Sequence, residues 1–180
     1  MTSHTTKKNS VVYIMTTLEL GGAQKVCLSL LDGIADTHTE TILITGGDGA
    51  LAPLYQADTR ICFIPELTRT LSPLRIFDDI RAWYRIVHLL KKIKKQSTTT
   101  IVHTHSSKAG IIGRWAAWCA RIPVRIHTIH GFALHTHISP LSWVIRYTAE
   151  LITSFITTSF VCVSTADVRY GAQLFPFFHV

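Results

Sequence analysis

Thr100-Ile-Val-His-Thr-His-Ser-Ser-Lys-Ala-Gly-Ile-Ile-Gly-Arg-Trp-Ala-Ala-Trp-Cys-Ala-Arg-Ile-Pro-Val-Arg-Ile-His-Thr-Ile-His-Gly131 is the stretch from which the architecture can be read. Thr100 to His105 is a short β-rich run. Two serines, a lysine and a small-residue helix follow. Pro123 resets the chain, and a second β-rich run ends at His130-Gly131. The order is strand, tight turn, helix, strand. In such a unit the turn after each strand lies on one edge of a parallel sheet, where open α/β folds bind ligands. Ser106 and Ser107 stand where a helix N-cap belongs, and the free N–H groups there suit an anion. Gly110 and Gly113 leave one helical face bare, so helix and sheet can approach closely.

The same alternation extends outward. Val11 to Met15 is a continuous apolar run, the pattern of a central strand covered on both faces. Gly21-Gly22 then permits a tight turn with close backbone approach. Ala23 to Ala35 reads as a helix in which Val26, Leu30 and Ile34 share a stripe with Cys27 and Leu31. Further strands are expected at Glu40–Thr45, Arg60–Pro65 and Phe160–Val163, with a loop at Gly46-Gly-Asp-Gly49 and a weak helix near Leu51–Gln56. Ser72-Pro73 opens a long helix to Gln96, with Ile76, Ile80, Trp83, Val87 and Leu90 as its buried stripe. Its early Asp78 and Asp79 and late Lys91, Lys92, Lys94 and Lys95 suit the helix dipole. Helices from Pro140 to Thr157 and from Ser164 onward complete the pattern. The expectation is an α/β, doubly wound, mostly parallel, Rossmann-like sheet. It forms one domain over residues 1–180, with 1–9 loose.

A chain of 180 residues that is 47% hydrophobic can build a core, and disorder is excluded. The formal charge is +7 and unevenly spread: Arg81 to Ala149 holds eleven of the eighteen Lys and Arg and no Asp or Glu. Such a half favours anionic partners. Trp83, Trp115 and Trp118 fall at helical core spacing rather than among cations on a strand, which argues against nucleic acid. The four cysteines form no Cys-x-x-Cys pair and sit in apolar runs, as reduced thiols of a cytoplasmic protein do. Val11 to Met15 is too short for a signal segment, and no run reaches the ~18 apolar residues of a membrane span.

The candidate sites follow from these elements. The Gly21-Gly22 turn lies between strand and helix, a context for phosphate, although neither Gly-x-Gly-x-x-Gly nor a Gly-Lys-Ser/Thr loop is present. A dinucleotide enzyme is therefore disfavoured, and no Gly-x-Ser-x-Gly elbow offers a nucleophile. Six of the ten histidines lie between His103 and His137. His103 and His105 share a strand face, and His135 and His137 repeat the spacing. Catalytic zinc commonly takes three protein ligands, often one of them a carboxylate. This window supplies no carboxylate, so no metal is expected. His130 ends a strand before a glycine with no local acid to raise its pKa, so a neutral imidazole there can exchange hydrogen bonds with a hydroxyl or phosphate. His103, inside its strand, is expected to be structural.

Four segments in order carry a family likeness: Leu20-Gly-Gly-Ala-Gln-Lys-Val26, His103-Thr-His-Ser-Ser-Lys-Ala-Gly-Ile-Ile-Gly-Arg114, His127-Thr-Ile-His-Gly-Phe132 and Val161-Cys-Val-Ser-Thr-Ala-Asp167. Together they resemble the N-terminal, acceptor-side domain of family 4 glycosyltransferases, which have the two-domain GT-B fold. The resemblance implies retaining transfer of a sugar from a nucleotide diphosphate donor to a cell-surface glycan or lipid-linked acceptor, without a metal or other cofactor. It assigns Gly21 and Gly22 to the donor diphosphate. Gln24, Ser107 and Lys108 go to the acceptor, and His130 becomes the cleft histidine important for turnover. It further implies a peripheral position on the inner face of an anionic membrane, with the helix Pro73 to Gln96 offering a basic face. The family's nucleotide-binding C-terminal domain, with its Glu-x7-Glu motif, is absent from the sequence. This leads to the expectation of a truncated or split enzyme that is inactive without a separate C-terminal half, with Phe175-Pro-Phe-Phe178 as exposed aromatic surface. The alternative is a non-catalytic acceptor- or membrane-binding module derived from such an enzyme.

Overall fold

The computed structural model describes residues 7–36, 38–70, 72–132, 139–175 and 179–180. Its elements in chain order are β1 (Asn9–Ile14), α1 (Gly22–Gly33), β2 (Thr39–Thr45), β3 (Ile61–Phe63), α2 (Ile76–Gln96), β4 (Thr100–His105), α3 (Ser107–Cys119), β5 (Val124–Ile129), α4 (Pro140–Ser154), β6 (Ser159–Cys162) and α5 (Thr165–Leu174). The six strands form one parallel sheet in the order β3-β2-β1-β4-β5-β6. The chain winds outward from β1 to β3, crosses back to lie beside β1 as β4, and winds the other way to β6. This is the doubly wound, Rossmann-like α/β architecture read from the sequence.

Side chains alternate between the two faces of a strand, and β1 shows why it is central. Val12 and Ile14 enter a core shared with Ile86 and Leu90 of α2 and Ala109 and Ala116 of α3. Tyr13 and Met15 enter a second core with Cys27, Leu28 and Leu31 of α1. A Cβ at Gly110 would lie 2.5 Å from the His127 ring, and one at Gly113 would lie 2.8 Å from the Thr104 methyl. The two glycines therefore set the close approach of α3 to the sheet.

The helix faces are rotated from the stripes expected. In α1 the buried residues are Cys27, Leu28 and Leu31, whereas Val26 and Ile34 are exposed. In α2 the buried stripe is Ala82, Ile86, Val87, Leu90 and Ile93. Ile76 and Ile80 are exposed, because the face of the first turns that meets α3 is the one carrying Asp79 and Ala82. A 3-10 turn, Pro73–Arg75, precedes α2, so Ser72 caps that turn through the Leu74 N–H. Trp118 is half exposed rather than core. At the N-terminus, Lys7 and Lys8 are tied to Lys95 and Thr98, and Asn9 already pairs with Thr39. Phe175 is buried and stacks on Phe132 and Tyr147, so it is not an exposed aromatic end. Residues 176–178 lie outside the described residues, as do His135 and His137.

Two cations of the acid-free window are paired by acids from just beyond its two ends. Lys108 meets Asp79 at 2.6 Å, and the fully buried Arg114 meets Glu150 at 2.7 Å. Arg114 also donates to the Gly110 carbonyl and the Thr157 hydroxyl, which ties α3 to the end of α4.

Candidate functional site

The strand order reverses between β1 and β4, and ligands of open α/β sheets bind outside the carboxyl ends of the strands at such a point. The loop after β1 carries Gly21 and Gly22, and the turn after β4 carries Ser106 and Ser107. The turn after the next strand, β5, carries His130 and Gly131. All three lie on one edge of the sheet. The loops are also joined: the Thr16 hydroxyl stands 3.4 Å from the Ser106 hydroxyl, and His105 Nδ1 stands 3.0 Å from His130 Nε2.

The sequence builds this edge from residues that leave helix N-termini open. Gly21 is the N-cap of α1, and Ser106 is the N-cap of α3. Neither places a side chain on the first-turn N–H groups, and neither helix has an acid there. By contrast, Ser139 and Ser164 cap α4 and α5 with their hydroxyls. Uncapped N–H groups and the positive end of the helix dipole favour an anion. Ser106 has φ 65° and ψ 150°, a region that glycine occupies readily and other residues do not, so its backbone is strained.

Gly21 and Gly22 differ in kind. The Gln24 side chain donates to the Thr17 carbonyl and lies over Gly21, so that a Cβ on Gly21 would meet Gln24 Oε1 at 2.6 Å. A Cβ on Gly22 would meet nothing within 4 Å. Gly46 and Gly49 are structural partners of the loop. A Cβ on Gly46 would strike the carbonyl oxygens of Thr16 and Leu67, and one on Gly49 would strike Leu18.

Lys108 is placed apart from the other sequence-derived site residues. It is buried, and its Nζ donates to the Thr70 carbonyl at 2.6 Å besides pairing with Asp79. Its charge thus joins the start of α3 to the start of α2. Ser107, half-buried in the first turn of α3, stays at the open edge.

Beneath this edge lies a stack of rings. His103 and His105 have centroids 4.5 Å apart, and Tyr13 lies 5.6 and 6.1 Å from them. His103 Nε2 bonds the Thr128 hydroxyl at 2.7 Å, the structural role expected of it. Burial dominates the titration of all these imidazoles. It pushes His103 down to about 4 and His105 to about 2, with neighbouring imidazoles adding to the effect. Burial also carries His127 well below the usual histidine value and lowers half-buried His130. Each is neutral at pH 7. A neutral His130 has one N–H and one acceptor nitrogen, suited to a sugar hydroxyl rather than to proton delivery as imidazolium.

Sequence reasoning missed Thr16, the strain at Ser106 and the partnership of His105 with His130. The last had a faint signal: each histidine stands at the end of one of two successive β-rich runs, which place them side by side if the strands are parallel neighbours.

The family model described as Glycosyltransferase Family 4 matches residues 20–177. The chain is 31% identical over 163 residues to an Escherichia coli UDP-Gal:alpha-D-GlcNAc-diphosphoundecaprenol alpha-1,3-galactosyltransferase. That match covers 91% of this chain and 40% of the relative. It is 29% identical over 121 residues to a capsular polysaccharide biosynthesis glycosyltransferase of Staphylococcus aureus, covering 67% of this chain and 29% of the relative. The chain therefore spans less than half the length of these relatives. Among solved structures it is similar in fold to MurG of Acinetobacter baumannii, with TM-score 0.57, 13% identity, and coverage of 86% of this chain and 41% of that one. It is also similar to a UDP-N-acetylglucosamine 2-epimerase of Rickettsia bellii, with TM-score 0.59, 18% identity, and coverage of 95% and 43%.

Proposed function

Because the chain belongs to glycosyltransferase family 4, we propose that it forms the acceptor-side half of a cleft that moves a sugar from a nucleotide diphosphate donor to a lipid-linked glycan, with retention at the anomeric carbon. The observation that carries this reading is the meeting of three turns, after β1, β4 and β5, around the strand-order reversal. The open N-terminus of α1 at Gly21-Gly22 receives the donor diphosphate, with that of α3 close by. Gln24 and Ser107 face the acceptor. His130 hydrogen-bonds the transferred sugar as a neutral imidazole. The charge of the departing diphosphate is met by N–H groups and helix dipoles, so the reaction needs no metal. The nucleotide is held by a C-terminal half.

The test joins this chain to a C-terminal nucleotide-binding half and measures transfer from UDP-galactose to GlcNAc-diphosphoundecaprenol, the substrates in the name of the Escherichia coli relative. His130→Ala lowers kcat roughly 10²-fold with the fold kept. Full transfer by that variant removes His130 from the site.

The membrane is the proposed second partner, met through the start of α2. Leu74 is 92% exposed and Phe77 71%, beside Ile76, Ile80 and the arginines at 75, 81 and 85. An apolar groove of about 340 Å³, lined by Ile80, Trp83, Ile111, Ile112 and Trp115, adjoins them. The lysines of α2 lie at its other end, roughly 22 Å along the axis from Ile76, so the apolar turn rather than the basic end stands beside the cleft. In this reading the protein sits in the cytoplasm, peripheral on the inner face of the membrane. Among the described residues, no helix is long and apolar enough to cross it. Phe77→Ser with Leu74→Ser releases the chain from anionic vesicles in flotation. Native binding that survives high salt and is lost in this variant shows apolar rather than purely ionic attachment. Vesicle binding without transfer in any pairing supports the non-catalytic module instead.

A further inference from the structure

His105 is fully buried at the last position of β4, and its Nδ1 lies 3.0 Å from Nε2 of His130. Its other nitrogen, Nε2, is buried without a hydrogen-bond partner among the described residues. The ring is boxed in: His103 stacks on it at 4.5 Å, Tyr13 lies 6.1 Å away and His130 5.3 Å away, by centroid distance. A ring packed in this way holds its orientation and offers one nitrogen, always the same one, to His130.

Two neutral histidines joined by one hydrogen bond have two arrangements. In the first, His105 carries its proton on Nδ1 and donates it, leaving a bare lone pair on the buried Nε2. In the second, His130 donates from Nε2, and His105 must carry its proton on the buried, unpartnered Nε2. An orphaned buried N–H is the rarer and costlier defect in proteins than an under-used acceptor. The first arrangement is therefore preferred. It dictates the state of His130: Nε2 is occupied as an acceptor, and the proton is on Nδ1. No described residue hydrogen-bonds that Nδ1, and His130 is only half-buried.

We propose that His105 is a positioning residue for the cleft, which fixes the ring plane of His130 and holds it in the Nδ1–H tautomer, so that His130 meets its ligand as a hydrogen-bond donor. The inference rests on the reading of His130 as the cleft histidine. His105 touches no substrate. It acts through His130, as an orienting partner behind an acting imidazole does.

The decisive measurement is imidazole nitrogen NMR on the histidine-labelled 180-residue chain, which needs no substrate. In the native chain, His130 is expected to show a protonated Nδ1 and an unprotonated Nε2. In His105→Leu the tautomer reverts to the Nε2–H form that free histidine favours. In transfer assays with a C-terminal half, His105→Leu lowers kcat about tenfold with little change in donor KM. His105→Asn, whose amide reaches close to the Nδ1 position, restores most of it, whereas His105→Gln does not. A native His130 that carries its proton on Nε2 overturns the proposal, even if His105→Leu fails to fold. Unchanged turnover in a folded His105→Leu overturns it equally. Failure of the underlying reading looks different: His130→Ala then keeps full transfer whatever the NMR shows.

Discussion

A glycine with an ordinary φ whose missing side chain would meet no protein atom is not required by the fold. Gly22 is of that kind, and Gly46 is its opposite. Gly22→Ala should leave the urea midpoint within about 0.5 kcal/mol of the native value while weakening donor binding in calorimetry with UDP. Gly46→Ala should destabilise by more than about 2 kcal/mol, since its Cβ meets backbone of Thr16 and Leu67 that cannot swing aside. The histidines give a second prediction at this scale. Their folded pKa values lie below the unfolded one, so the unfolded state binds more protons as pH falls. The stability they give is full above about pH 6.5 and is lost on acidification toward pH 4, by about 1.4 kcal/mol per pH unit for each buried imidazole. Urea midpoints should fall steadily between pH 7 and 5, and a flat profile would contradict the burial. At this scale the sequence placed Gly22 in the turn between β1 and α1 and His130 just after β5, because both positions follow from the alternation of strand and helix. It gave Lys108 to the acceptor and did not show its ion pair, because Asp79 lies on a different helix.

An amphipathic pattern says which face of a helix is apolar, but not which face its neighbours cover. That is why the sequence located α2 and yet assigned Ile76 and Ile80 to its buried face: the covered face there is turned toward Asp79 and Ala82. The same limit applies to charge. A window without acids looked uniformly cationic, yet Asp79 and Glu150 reach in from adjacent helices. Removing one partner of a buried pair leaves the other uncompensated, which costs about 3–5 kcal/mol. Glu150→Gln should therefore destabilise by roughly 3 kcal/mol in urea titration, and adding Arg114→Met should recover part of the loss. Lys108→Ala should lower the melting temperature more than it alters acceptor KM. The reverse result would return Lys108 to the acceptor.

Parallel strands alternating with helices were legible along the whole chain, since buried strands and amphipathic helices have different periods. Strand order was not. It depends on which crossover turns back, and nothing in the local pattern around Gln96–Thr100 states that β4 will lie beside β1 rather than beyond β3. The cleft depends on that choice, because only then do the turns of β1 and β4 adjoin. With a C-terminal half supplied, transfer should be unaffected by excess chelator, and the product should keep the anomeric configuration of the donor. Loss of transfer on chelation would mean that a metal carries charge assigned here to N–H groups. Because every turn with a chemical part stands on one rim, and the opposite rim only splices elements together, the fold separates two kinds of variation. A library aimed at a new acceptor can be confined to the turns after β1, β4 and β5, with the layers beneath them kept as fixed scaffolding.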